Sequence, residues 1–185
     1  MQNNLIDNSA SVNTTLIFGK PHSGKTYLTL QMLKNLKRYI VVDQFDEYSG
    51  FVVSNEIEAL NYARQNPKDF KICIRLQEER PNLFNVLYCI TNYTLIVEEL
   101  SMHCTCYIAP KFLKYIMAFG RRRKINFIGI SQRPAQVNTS IRGCANTIIT
   151  FNMQEPNDIK YLSFWGFDST TLNSLKQYQH LSKEF

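Results

Sequence analysis

Apolar residues fall along this chain in two rhythms. Unbroken runs at 15–18, 39–42, 94–97, 125–130 and 147–151 are rich in β-branched and aromatic residues and show no polar alternation, the pattern of strands buried on both faces of a parallel sheet. Between them apolar residues recur three and four positions apart, predicting helices over 27–38, 54–65, 81–91 and 111–122 and another opening near 155. The first would bury Leu28, Leu30, Met32, Leu33 and Leu36, and the fourth Phe112, Leu113, Ile116, Met117 and Phe119. Local punctuation agrees, since Ser54-Asn55-Glu56 opens a helix, Asn66-Pro67 closes it, and Pro81 suits a first turn. Residues 71–76 alternate and predict a strand near a sheet edge. Strands and helices taking turns in this way specify an α/β fold, a mainly parallel sheet flanked by helices.

Length and composition refine that picture. The polar stretch 1–13 reads as a flexible leader, and the remainder of the 185 residues, 14–185, is the right size for a single domain. No apolar run approaches the roughly 20 residues needed to cross a bilayer, and Met1-Gln2-Asn3-Asn4 lacks the layout of a secretion signal. Five cysteines, an odd number, are expected as free thiols in a reducing compartment. His103-Cys104-Thr105-Cys106 has no second, similarly spaced ligand pair to complete a zinc site. A net charge of +6 favours a polyanionic partner.

The chemistry concentrates after the first apolar run. Gly19-Lys20-Pro21-His22-Ser23-Gly24-Lys25-Thr26 fits G-x-x-x-x-G-K-[ST] between a predicted strand and a predicted helix, the context that makes this phosphate-loop motif believable. Gly19 and Gly24 let the backbone turn tightly, so that N–H groups from about His22 to Thr26 face phosphate oxygens at the positive end of a helix. Lys25 would reach the β- and γ-phosphates, and the Thr26 hydroxyl would hold Mg²⁺.

Three later segments deliver polar groups to the same sheet edge, where ligands of open parallel sheets sit. Asp43 and Glu47 follow the 39–42 strand, placed either near the nucleotide or in turn and cap chemistry. Glu98 and Glu99 end the 94–97 strand, and we assign Glu98 to the metal shell and Glu99 to the attacking water. Ser131-Gln132-Arg133-Pro134 follows the 125–130 strand, where Gln132 could hydrogen-bond the γ-phosphate or the water. The run Arg121-Arg122-Arg123-Lys124 sits where cations suit a helix C-terminus.

With the phosphate loop, the double glutamate and the Q-R-P segment in that order, the chain resembles the HerA/FtsK superfamily of DNA-translocating ATPases. The likeness extends to Val41-Val42-Asp43 with Glu47-Tyr48, and to Ile141-Arg142-Gly143-Cys144-Ala145-Asn146 with Phe151. In its short length it is most similar to the genome-packaging ATPases of membrane-containing icosahedral viruses. The resemblance implies a RecA-like P-loop NTPase core assembled as a ring, usually a hexamer, with ATP and Mg²⁺ bound between subunits. It places residues 19–26 on the phosphates, Glu98 and Glu99 at metal and water, Gln132 as sensor, and a trans-acting arginine at Arg121, with Arg122 and Arg123 close enough to share the assignment. Two positions depart from the family. Glu98 stands where Asp is common, so its metal contact can run through water, and Ser101 stands where many members have His.

The expectation is an ATPase that drives DNA, without sequence preference, into a preformed capsid, docked on capsid or portal-vertex proteins in the virion and assembled in the host cytoplasm. Lys111, Lys114 and the 122–124 cations are candidate backbone contacts. Competing expectations are a cellular or conjugative DNA-processing ATPase of the same superfamily and a P-loop phage assembly or secretion ATPase acting on protein. A small-molecule kinase would need a lid and acceptor pocket that no segment supplies.

Overall fold

The structure, a computed structural model, describes residues 12–78 and 80–185. Eight strands form one sheet: β1 (Thr14–Phe18), β2 (Arg38–Val42), β3 (Phe51–Val53), β4 (Phe70–Ile74), β5 (Tyr93–Val97), β6 (Ile125–Ser131), β7 (Thr147–Thr150) and β8 (Leu181–Glu184). Their order is β3-β4-β2-β5-β6-β1-β7-β8. Every pairing is parallel except that of β7 with β8. All residues of β1, β5, β6 and β7 are buried, which is why these runs carry no polar alternation. At the edge, β8 alternates half-buried with exposed residues.

Among the described residues seven helices cover the sheet: α1 (Lys25–Leu33), α2 (Glu56–Gln65), α3 (Leu83–Cys89), α4 (Lys111–Phe119), α5 (Thr139–Arg142), α6 (Pro156–Phe164) and α7 (Ser169–Ser174). Strand alternation divides the core in two. Leu16, Phe18, Ile40, Val42, Leu95 and Val97 face a large cluster with apolar residues of α2 to α7. Their chain neighbours Ile17, Val41 and Ile96 face a smaller one closed mainly by Met32, Leu33 and Leu36 in and after α1. Each such buried aliphatic side chain contributes about 1.5–3 kcal/mol, so both faces are firmly held.

Several boundaries differ from expectation. Helix α1 stops at Leu33, because Arg38 already begins β2, and Leu30 is exposed rather than facing the core. Helix α4 stops at Phe119 and tightens into a 3₁₀ turn, Gly120–Arg123. Phe119, expected in the core, lies exposed with its ring against Tyr115. Strand β3 has no counterpart among the predicted elements, since two of its three residues are exposed. The expected leader lies outside the described residues except Val12 and Asn13. The latter's N–H donates to Asn126 Oδ1 at 2.8 Å and its amide to Thr147 Oγ1 at 3.1 Å, fastening the entry to β1.

The strand order positions the candidate site. Because β6 is inserted between β1 and β5, the segment leaving β6 emerges between the phosphate loop at the end of β1 and the acids at the end of β5. All three strands point the same way, so these segments share one edge of the sheet.

Candidate functional site

The phosphate loop is built by backbone geometry that few residues accept. Gly24 has φ 113°, and a Cβ there would sit 2.7 Å from Tyr178 Cδ1, so both conformation and space demand glycine. A Cβ on Gly19 would lie 2.7 Å from Phe151 Cβ and from Ser23 Oγ. Helix α1 then begins with no side-chain cap and no acidic residue in its first turn, leaving its first N–H groups and positive dipole end for an anion. Lys25 Nζ donates to the carbonyls of Gly19 at 2.7 Å and Lys20 at 3.0 Å. Burial lowers its pKa, opposed by the charges of Glu99, Glu98 and Glu47.

The loop after β2 settles the two carboxylates there. Asp43 is buried and accepts from the N–H groups of Glu47 (3.1 Å) and Tyr48 (3.2 Å), so it shapes a turn. That turn aims Glu47 at the loop, where the Thr26 hydroxyl donates to its Oε2 at 2.9 Å. Of the pair, Glu47 is the one at the phosphate loop.

Glu98 and Glu99 are split by the chain's turn at the end of β5. Glu98, whose N–H still donates to Val42 as a continuation of the sheet, is buried and accepts from the buried Tyr48 hydroxyl. Burial pushes its carboxyl up to about 7, while that hydrogen bond pulls the other way. Glu99 adopts a left-handed conformation, φ 44°, uncommon for its residue type. Its two oxygens accept from Ser101 Oγ (2.8 Å) and Gln132 Nε2 (3.0 Å). Ser101, whose role the sequence left open, thus holds Glu99, and Tyr48 holds Glu98.

The residue after Gln132 serves the scaffold. Arg133 Nε bonds the buried carboxylate of Asp158 at 2.9 Å, and its Nη2 lies 3.3 Å from Glu155. Asp158 also accepts from Ala135 N–H at 3.0 Å, so the turn carrying Gln132 is clamped to the start of α6.

Arg121, Arg122 and Arg123 precede β6 and therefore lie at the opposite edge of the sheet. A seven-residue strand separates the edges by roughly 20 Å, so none of the three reaches the phosphate loop of its own chain. Arg123 donates to Cys89 O at 3.0 Å and stacks over Tyr88, and Arg122 lies over Phe119. Arg121 is exposed.

Thr26, Glu47, Glu98 and Glu99 offer only oxygen donors, the chemistry Mg²⁺ requires. The hydrogen bond from Thr26 to Glu47 brings hydroxyl and carboxylate together at the phosphate loop. The residues therefore fit the ion. A separate cleft of about 570 Å³, bordered by Gln44, Arg80, Phe84 and His103, opens on the β2–β4 side, away from the β1 loop.

No protein-family model matches the chain, and no curated protein matches it in sequence. Solved structures do. B204, the genome packaging NTPase of Sulfolobus turreted icosahedral virus 2, in complex with AMPPCP, superposes with a TM-score of 0.79 at 20% identity, covering 97% of this chain and 94% of that one. The pCW3 conjugation coupling protein TcpA, with ATPgS, gives 0.60 at 15% identity, covering 97% of this chain and 59% of that one. The N-terminal domain of zonular occludens toxin from Neisseria meningitidis gives 0.51 at 14% identity, covering 95% and 94%. At these identities the likeness is one of fold. The chain has the P-loop NTPase fold, an eight-stranded, mainly parallel sheet flanked by helices, that its resemblance to HerA/FtsK ATPases, above all the genome-packaging ones, led us to expect.

Proposed function

We propose that the chain is an ATPase that drives DNA into a preformed capsid, working as a homo-oligomeric ring, a hexamer by resemblance. The observation that carries the catalytic part is that Glu47 accepts from Thr26 on the phosphate loop, Glu98 and Glu99 lie near enough for their charges to act on Lys25, and Gln132 bonds Glu99, although these residues come from four different segments. The DNA-packaging part is supported by the nearly full-length likeness to a genome packaging NTPase and by the surplus of positive charge.

In this mechanism backbone N–H groups between His22 and Thr26 and the Lys25 ammonium bind the β- and γ-phosphates of ATP. Thr26, with Glu47 and with Glu98 directly or through water, would hold Mg²⁺, which when bound would neutralise charge on the phosphate oxygens. Glu99 takes the proton of the attacking water, and Ser101 orients the carboxylate that does so. Gln132, one hydrogen bond from Glu99, links that base to the γ-phosphate. Arg121 of one subunit meets the charge that develops at the neighbour's γ-phosphate.

DNA would be gripped by its phosphate backbone, with Lys111, Lys114 and the cations at 122–124 as candidate contacts, so its effect must weaken as salt rises. Purified protein is expected to hydrolyse ATP with a specific activity that rises with protein concentration, and duplex or single-stranded DNA should stimulate it at low salt. Lys25→Ala should abolish turnover. Stimulation by neither kind of DNA would overturn the DNA part and favour an assembly ATPase acting on protein.

A further inference from the structure

The segment that leaves α7 runs back over the phosphate loop. Asn152 fastens its start, its amide donating to the carbonyls of Asn173 and Leu175, both at 2.9 Å. Beyond it, β8 fastens its end to β7. Between these anchors Tyr178 N–H donates to Ser23 O at 2.9 Å and Gln177 Nε2 to His22 O at 3.1 Å. These bonds take up carbonyls of the loop and none of its N–H groups. Tyr178 itself has φ 65°. Its ring meets that of Tyr27 edge to face at 5.6 Å, and His180 lies 5.3 Å from Phe151.

The strand order gives a bound triphosphate a direction. The groups suited to the γ-end, Glu98, Glu99 and Gln132, come from β5 and β6, on one side of β1. A triphosphate lying along the loop with its γ-end toward them sends its nucleoside end to the other side of β1. That is the side of β7 and β8, and the residues found there are this strap. Tyr27 and Tyr178 are 59% and 58% exposed although they contact each other, so a flat apolar partner still has ring surface to cover.

We propose that residues 177–180, laid over the phosphate loop from the β7–β8 side, form with Tyr27 the subsite that receives the base of the bound nucleoside triphosphate, holding it by stacking. This rests on the phosphate-loop reading above. Stacking on an aromatic side chain is worth about 1–3 kcal/mol per base, a factor of about 5–150 in affinity.

The test compares a ligand that has a base with one that lacks it, by calorimetric titration of AMPPCP and of inorganic tripolyphosphate, both with Mg²⁺. Tyr178→Ala should weaken AMPPCP binding at least fivefold and leave tripolyphosphate binding within about twofold, while Tyr178→Phe, which keeps the ring, should bind both as the unaltered protein does. Equal losses for both ligands would overturn the proposal, because the strap would then only shape the phosphate loop. Unchanged AMPPCP binding by Tyr178→Ala would also overturn it. Failure of the unaltered protein to bind either ligand would instead bring down the phosphate-loop assignment itself, and the subsite with it.

Discussion

Glu98 and Glu99 are adjacent in the chain, yet their surroundings give them different chemistry. Glu99 accepts a hydrogen bond on each oxygen, from Ser101 and Gln132, and is only partly buried. Replacing it by Gln keeps the shape but removes the proton acceptor. Turnover of Glu99→Gln should fall by about 10²–10⁴ with nucleotide affinity retained, measured by steady-state hydrolysis beside calorimetry. Glu98 is buried with its carboxyl raised from 4.5 to about 7. A folded-state pKa above the unfolded one means that the fold binds this proton more tightly than the open chain does. The resulting stabilisation is full below the ordinary value and is lost as pH rises through about 7. Between pH 5 and 8, with nucleotide and metal withheld, the melting temperature should therefore fall more steeply in the unaltered protein than in Glu98→Gln. Tyr48→Phe removes the hydrogen bond that holds the pKa down, so its decline should extend to higher pH. The two acids were legible in the sequence as an apolar run ending in carboxylates. Their partners were not, because Tyr48 lies fifty residues upstream and no local pattern marks a contact made only when two strands pair.

At the scale of elements, what could be read depended on burial. Strands β1, β2, β5, β6 and β7 announce themselves because both faces are covered and sterics leave little but apolar residues. Strands β3 and β8 lie at the two edges, with exposed positions that dilute the signal, and α7 is too short to show a period. The end of α4 was overrun because Gly120 adopts right-handed helical angles and the chain coils on as a 3₁₀ turn. The Q-R-P segment was legible as a motif, but nothing local in it showed what its arginine does. Its arginine is tied to Asp158 across 25 residues and orients the turn instead of reaching the phosphate loop. Asp158 is fully buried while Arg133 is partly exposed. Arg133→Ala would leave that carboxylate dependent on the Ala135 N–H, at a cost of about 1–2 kcal/mol after allowance for solvent at the arginine. Urea unfolding should show this as a lower midpoint at an unchanged slope, together with a loss of turnover through Gln132.

The candidate site and the proposed arginine finger lie at opposite edges of one sheet. The phosphate loop, the acids and Gln132 follow the C-terminal ends of strands, while Arg121 precedes the N-terminal end of β6. A surface and its complement at opposite ends of a protomer meet by head-to-tail contact, which closes into a ring when the rotation allows. Arg122 and Arg123 lean on rings of α3 and α4, so Arg121 is the cation best placed to cross to a neighbour. On the proposal that Arg121 serves the next subunit, Arg121→Ala should lose about 10³-fold or more in turnover with its own nucleotide affinity nearly unchanged. Lys25→Ala subunits are inactive for the opposite reason, having an intact arginine but no working phosphate loop. In an equimolar mixture, about a quarter of randomly formed interfaces pair a sound loop with a sound arginine. Hydrolysis should reappear on mixing, reach its maximum near equal amounts, and vanish on dilution below the concentration at which rings form. An Arg121→Ala protein as active as the unaltered one would mean that the charge on the transferring phosphoryl group is met without Arg121, and a mixture as inactive as its components would count against a site completed by one subunit's loop and the next subunit's arginine.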